Sequence, residues 1–306
     1  MGPAPSIRMS HSYRGRFAPS PTGPLHFGSL VAALASYLEA RSHNGRWLVR
    51  IEDLDPLREP PDAADRILRT LETHGLTWDE SVVYQSQRSD IYRRQLEALR
   101  SQGYTYRCPC SRRDLAENQG KHLNACRHHP DRHYAEPTAW RFAVQSGLYA
   151  WQDQLQGYLQ YQLEAERDDF VVQRKEGFYA YQLAVVCDDA EQDIRHIVRG
   201  SDLLDSTPLQ LALLAALELP IPSYLHVPVI VDNHGQKLSK QNHATAIDDK
   251  IPGHNLWLAL FALHQSPPAD LKLAPPETVL AWACENWSLA HLPAQKTLPM
   301  PTAKGA

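Results

Sequence analysis

This chain has no long hydrophobic run, little cysteine and no surplus of positive charge. No stretch of its 306 residues reaches the roughly 18 uncharged apolar positions that a membrane-crossing helix needs. The N-terminal segment MGPAPSIRMSHSYRG has no apolar centre of the kind an export signal requires, so a cytoplasmic location is expected. With 31 Lys and Arg against 35 Asp and Glu the formal net charge is −4, which excludes binding of a polyanion by overall charge. Any contact with nucleic acid must come from local patches. Three of the five cysteines lie between positions 108 and 126, which suits a metal site in a reducing compartment better than a disulfide framework. No internal repeat is visible.

What is present is an α/β pattern with one interruption. The hydrophobic content of 43% is enough for a sizeable core. GRFAP reads as a short strand, followed by a loop rich in Pro19, Pro21, Gly23 and Pro24 and by the apolar helix LVAALASYLEARSH. A strand, RWLVRIED, and helices near 62–74 and 88–102 come next. Strands alternating with helices imply βαβ units and a parallel sheet. Residues 108–140, rich in Cys, His, Pro and Arg, break the pattern as an inserted module would. DDFVVQRKEGFYAYQLAVVCDDA resumes strand character, LDSTPLQLALLAALEL reads as a second apolar helix, and helical pieces separated by SPP and APP follow. The tail PMPTAKGA is expected to be disordered.

Two short segments carry chemistry. In RFAPSPTGPLHFGS a strand ends, a Pro/Gly loop turns and a helix begins near His26 to Ser29, aiming unpaired backbone N–H groups and the positive helix end above the sheet. That is a site for nucleotide phosphates. Gly28 lets a nucleotide approach the backbone, and His26 can donate a hydrogen bond to a phosphate oxygen as charge develops. Far downstream, KLSKQ follows the strand and turn VPVIVDNHGQ, placing Lys237 and Lys240 on a loop free to clamp a triphosphate. Separately, Cys108, Cys110, His122 and Cys126 form C-x-C-x11-H-x3-C, a ligand set that suits a structural tetrahedral Zn²⁺. His128 is a competing fourth ligand. Cys187 and Cys284 sit in apolar runs and read as core residues, and His129 and His133 as solvent-facing.

The ordered pair of segments resembles the two signatures of class I aminoacyl-tRNA synthetases, "HIGH" and "KMSKS", in the form used by the glutamyl and glutaminyl enzymes. About sixty residues follow KLSKQ, too few for the anticodon-binding domain of a full glutamyl-tRNA synthetase. The chain is therefore most similar to the short glutamyl-queuosine tRNA(Asp) synthetase family. That family has a similar C-x-C…Y-x3-C arrangement, with His122 where its tyrosine would be, and imidazole is the better zinc ligand. Ser29 stands where the first signature has its second histidine.

The resemblance implies a Rossmann-type catalytic domain, its halves at 14–107 and 171–245, split by a zinc-containing insertion at 108–170. An N-terminal extension, 1–13, precedes it and a small helical C-terminal region, 246–306, follows. It implies His26, Gly28 and Lys240 as catalytic residues, with Lys237 joining them on ATP. L-Glutamate would lie among Arg16, Ser20, Glu52, Tyr181 and Arg199, with Glu52 meeting its ammonium and the arginines its carboxylates. The implied reaction makes glutamyl-adenylate from glutamate and Mg²⁺-ATP without tRNA, then passes the glutamyl group to queuosine at the wobble position of tRNA(Asp). A monomer is expected. The alternatives are a truncated glutamyl-tRNA synthetase charging tRNA(Glu) at its 3′ end, or a catalytically dead amino-acid or RNA-binding paralogue.

Overall fold

The computed structural model describes residues 12–118, 125–130, 132–135, 137–232, 235–236 and 246–301. In chain order these form β1 (Arg14–Phe17), α1 (Phe27–Ser42), β2 (Arg46–Ile51), α2 (Ala63–Thr73), β3 (Val83–Tyr84), α3 (Ser89–Ser101), β4 (Thr105–Cys108) and α4 (Arg112–Glu117). Next come β5 (Ala139–Phe142), β6 (Gly147–Asp153), β7 (Gly157–Leu163), β8 (Phe170–Gln173), α5 (Tyr181–Glu191), β9 (His196–Gly200) and α6 (Thr207–Ala216). β10 (Ser223–Val227), β11 (Val229–Val231), α7 (Pro252–Ala262), α8 (Pro276–Asn286) and β12 (Thr297–Pro299) complete the series. Among the described residues no helix is long and apolar enough to cross a membrane.

Seven strands form the main sheet in the order β3-β2-β1-β9-β10-β6-β7. The pairings are parallel as far as β6, which turns back antiparallel into β7. Every residue of β2 from Trp47 to Ile51 is buried, as expected of a strand covered on both faces. On one face lies α1, with Leu30, Leu34 and Leu38 fully enclosed. Each such leucine contributes about 2 kcal/mol of apolar burial.

Residues 108–170 divide between two structures. β4 and β5 join β8 in a separate three-stranded antiparallel sheet, whereas the β6–β7 hairpin is part of the main sheet through the bridge of Tyr224 to Asp153. Strand character does not persist through DDFVVQRKEGFYAYQLAVVCDDA. Only Phe170–Gln173 is strand, a turn with Gly177 at φ +92 follows, and Tyr181–Glu191 is a helix. The apolar run from Leu183 to Cys187 is buried throughout, and within such a run an enclosed helix looks the same as an enclosed strand.

The helices α7 and α8 share one core with α1, through Leu256, Leu260, Val279 and Leu280. Trp287 Nε1 ties this region to α1 by donating to Glu39 at 2.7 Å. The end of the described chain is also held, because β12 pairs in parallel with β11 and the Met300 amide donates to the Val231 carbonyl. The start of PMPTAKGA thus lies in a strand; residues 302–306 lie outside the described residues.

Candidate active site

Strand order decides where the crevice forms. From β1 the chain runs outward to β2 and β3, whereas β9 continues the other way to β10, so the carboxyl ends of the neighbours β1 and β9 lead into diverging loops. A cavity of about 610 Å³ opens there, lined by the end of β1 and the loop after it to Ser20, by the end of β9 with Asp202 and Leu203, and by the start of α1. Arg16, Ser20, His26, Gly28, Glu52, Tyr181 and Arg199 all line it. Residues spread over nearly two hundred positions thus share one wall.

The charges inside are unequally paired. Arg16 is buried and grips Asp189 through two bonds, Nε to Oδ1 at 3.0 Å and Nη2 to Oδ2 at 3.3 Å. Arg50, fully buried on β2, reaches the same Asp189 at 2.8 Å and Glu52 only at 3.5 Å. Burial alone would raise the Asp189 carboxyl, but Arg16 and Arg50 hold it below its ordinary range. Glu52 gains less from Arg50 and Arg16, and burial pushes it up to about 7. It is the carboxylate in this network whose charge most needs a further cation.

Arg199 stands in the opposite condition. Its guanidinium is buried, and its Nε, Nη1 and Nη2 donate to His226 Nε2 at 3.0 Å, Gln210 Oε1 at 2.8 Å and Thr207 Oγ1 at 2.9 Å. His226 must accept at Nε2, so its proton is on Nδ1, which meets Asp153. Burial, opposed by Asp153, leaves the His226 pKa lowered, so this imidazole is neutral. Arg199, which lines the cavity, is therefore a buried cation held by neutral groups, and among the described residues two of its five N–H donors are not taken up.

At the other side of the cavity His26 is the N-cap of α1. Its Nδ1 accepts the Ser29 amide at 3.2 Å, and Ser29 Oγ lies 3.0 Å from Nε2, so the serine that departs from the signature steadies the ring. A methyl group at Gly28 would sit 3.3 Å from two atoms of that ring. Lys237 and Lys240 lie outside the described residues, but the chain that follows them pairs here. Ala246 bridges to His26, and the Ile247 amide donates to the Leu25 carbonyl at 3.1 Å.

Residues 12–255 match the family model for the catalytic domain of class I tRNA synthetases, E and Q type. The chain belongs to this family. Curated relatives named Glutamyl-Q tRNA(Asp) synthetase include one from Ectopseudomonas mendocina, 49% identical across 95% of this chain and 98% of the relative. Another, from Chromobacterium violaceum, is 50% identical across 92% of this chain and 96% of its own. A glutamate tRNA ligase from Elizabethkingia meningosepticum, solved in complex with its amino acid, matches at TM-score 0.77 with 23% identity. That match covers 96% of this chain and 68% of the ligase, and is a likeness of fold.

This class I synthetase chain carries a second constellation away from the cavity. Cys108, Cys110 and Cys126 are buried, with sulfur atoms all within 4.8 Å of one another. Burial pushes the Cys108 thiol up to about 12, against the pull of Arg141. A divalent cation would reverse that by favouring thiolate, so the three sulfurs fit a soft metal. His122 lies outside the described residues. His128 is not among the clustered ligand atoms and pairs instead with Glu166 at 2.7 Å. Cys187 is buried and Cys284 half-buried against the core, while His129 and His133 are exposed.

Sequence reading missed the groups that orient the pocket. Arg50, Asp188, Asp189 and His226 are all buried polar residues on core elements. A signal existed, since an arginine inside RWLVRI and two aspartates after LAVVC break apolar runs and demand buried partners.

Proposed function

We propose that this chain activates L-glutamate with ATP, without needing tRNA, and transfers it to the queuosine of tRNA(Asp) in the cytoplasm. The observation that carries the reading is Arg199, a buried guanidinium with neutral partners opening onto the cavity that also holds His26 and Gly28. An anionic substrate group offsets that charge. Arg16, its Nε and Nη2 engaged by Asp189, keeps Nη1 for the second carboxylate, and Glu52 takes the ammonium. Tyr181 and Ser20 complete the wall. The curated relatives' printed name supports the choice of acceptor.

Activation requires the glutamate α-carboxylate to attack the α-phosphorus of ATP, forming the mixed anhydride and expelling pyrophosphate. His26 donates to a phosphate oxygen, Gly28 lets the nucleotide lie close to the α1 N-terminus, and Lys237 and Lys240 neutralise the triphosphate with its Mg²⁺. Zn²⁺, held by Cys108, Cys110 and Cys126 with His122 as fourth ligand, would supply structural cross-linking. The test is glutamate-dependent exchange of labelled pyrophosphate into ATP, with and without tRNA. Exchange without tRNA supports the reading, and exchange only with tRNA(Glu) would replace it by an ordinary synthetase.

A further inference from the structure

Beside the main cavity lies a second chamber of about 270 Å³, just under the ordinary range for small-ligand sites, and it is continuous with the first through shared walls. It shares Ser20, Thr22, Glu52 and Tyr181 with the first and adds Asp55, Arg58, Glu59, Gln85, Arg174 and Tyr179. A group in it would approach the bound amino acid across Glu52 and Tyr181, from the side away from His26 and Gly28.

The lining has a specific chemistry. Asp55 Oδ2 accepts from both Arg58, with Nε at 2.8 Å, and Arg174, with Nη1 at 2.9 Å. Two guanidiniums on one carboxylate leave a net positive edge with donors to spare. Glu59 Oε1 accepts the Asp55 amide at 2.9 Å, and its carboxylate makes no ion pair among the described residues. Tyr179 presents an aromatic wall, its ring packed edge-on against Tyr92 at 5.3 Å. A planar base to lie on Tyr179, a cationic arm for Glu59 and a phosphodiester for the arginine edge together describe an unstacked nucleotide with a basic substituent.

We propose that this chamber is the acceptor site, receiving the flipped-out queuosine nucleotide so that its cyclopentene-diol meets the glutamyl-adenylate between Glu52 and Tyr181. This rests on the function proposed above. The secondary ammonium linking the diol to the base is the group that Glu59 recognises. A ring hydroxyl oxygen forms the ester bond to the glutamyl carbonyl carbon. The bond from that carbon to the adenylate oxygen breaks, AMP leaves with the electron pair, and the hydroxyl proton passes to its phosphate. Guanosine at the same position lacks both the arm and the nucleophile.

The test compares the two half-reactions in the full chain, using labelled glutamate and tRNA(Asp) with either queuosine or guanosine at the wobble position. Glu59→Gln and Tyr179→Leu should raise the KM for queuosine tRNA about tenfold more than they alter pyrophosphate exchange. Tyr179→Phe, which keeps the ring, should restore most of the loss. Free queuine base should inhibit wild-type transfer and inhibit Glu59→Gln less. If these variants change transfer and exchange in parallel, or neither, the acceptor assignment is overturned while the glutamylation reading stands. If wild-type protein transfers nothing to queuosine tRNA, the function itself fails, and the acceptor site with it.

Discussion

Arg199 donates from Nε to His226 Nε2 at 3.0 Å, an arginine bonded to a neutral imidazole where a carboxylate would be the ordinary partner. Asp153 sits one residue further back, on the far ring nitrogen of His226. The arrangement fixes the guanidinium while leaving its charge uncancelled at the cavity.

Replacement of Arg199 by Gln should weaken glutamate binding roughly 100-fold, the value of about 3 kcal/mol for a charge-assisted contact. No carboxylate is stranded by the change, so loss of fold stability should stay under about 2 kcal/mol. Isothermal calorimetry and thermal unfolding on the same sample separate the two effects. Near-normal glutamate affinity in the variant would sink the assignment.

Glutamate binding should depend on pH through Glu52. Burial pushes this group from an ordinary 4.5 to about 7 in the ligand-free protein. A raised acid binds its proton more tightly folded than unfolded, so its contribution to stability is complete below its unfolded value and disappears as pH rises through the folded one. A substrate ammonium favours the carboxylate and reverses this. Affinity should therefore be higher at pH 8 than at pH 6, with up to one proton released per glutamate bound near pH 6. Calorimetry in buffers of different ionisation heat counts that proton, and Glu52→Gln should abolish its release.

Gly28→Ala places a methyl group 3.3 Å from the Cε1 and Nδ1 atoms of His26, tighter than ordinary contact. The ring must shift from the position in which Ser29 holds it. Pyrophosphate exchange should slow about tenfold in kcat, equivalent to about 1.4 kcal/mol, with less effect on the KM for glutamate. Equal loss in both parameters would mean that the pocket itself had been displaced.

Metal analysis of purified protein should find about one zinc per chain, falling below about half in Cys110→Ala. Chelation should lower the melting temperature, and hydrogen exchange should place the loss in β4, β5 and β8 before the main sheet. Metal-free native protein of unchanged stability would argue against the site.

Much of this was legible along the chain. Apolar α1 and β2, the Pro/Gly turn between β1 and His26, and the spacing of the cysteines are local patterns, and local patterns report on helix starts, strands and ligand sets. They could not separate an enclosed helix from an enclosed strand around Leu183–Cys187, because a short apolar run carries no period that tells the two apart. Nor could they anticipate β12, a three-residue strand whose reason for existing is its neighbour β11. The candidate residues Arg16, Glu52 and Arg199 were nameable from their motifs, but their electrical states were not. Tertiary packing brought Asp189 against Arg16 and Arg50, left Glu52 with a weaker share of them, and turned a neutral His226 toward Arg199. Which charges cancel and which remain for a ligand depends on distances between elements far apart in the chain. Residue order alone carries no such distances.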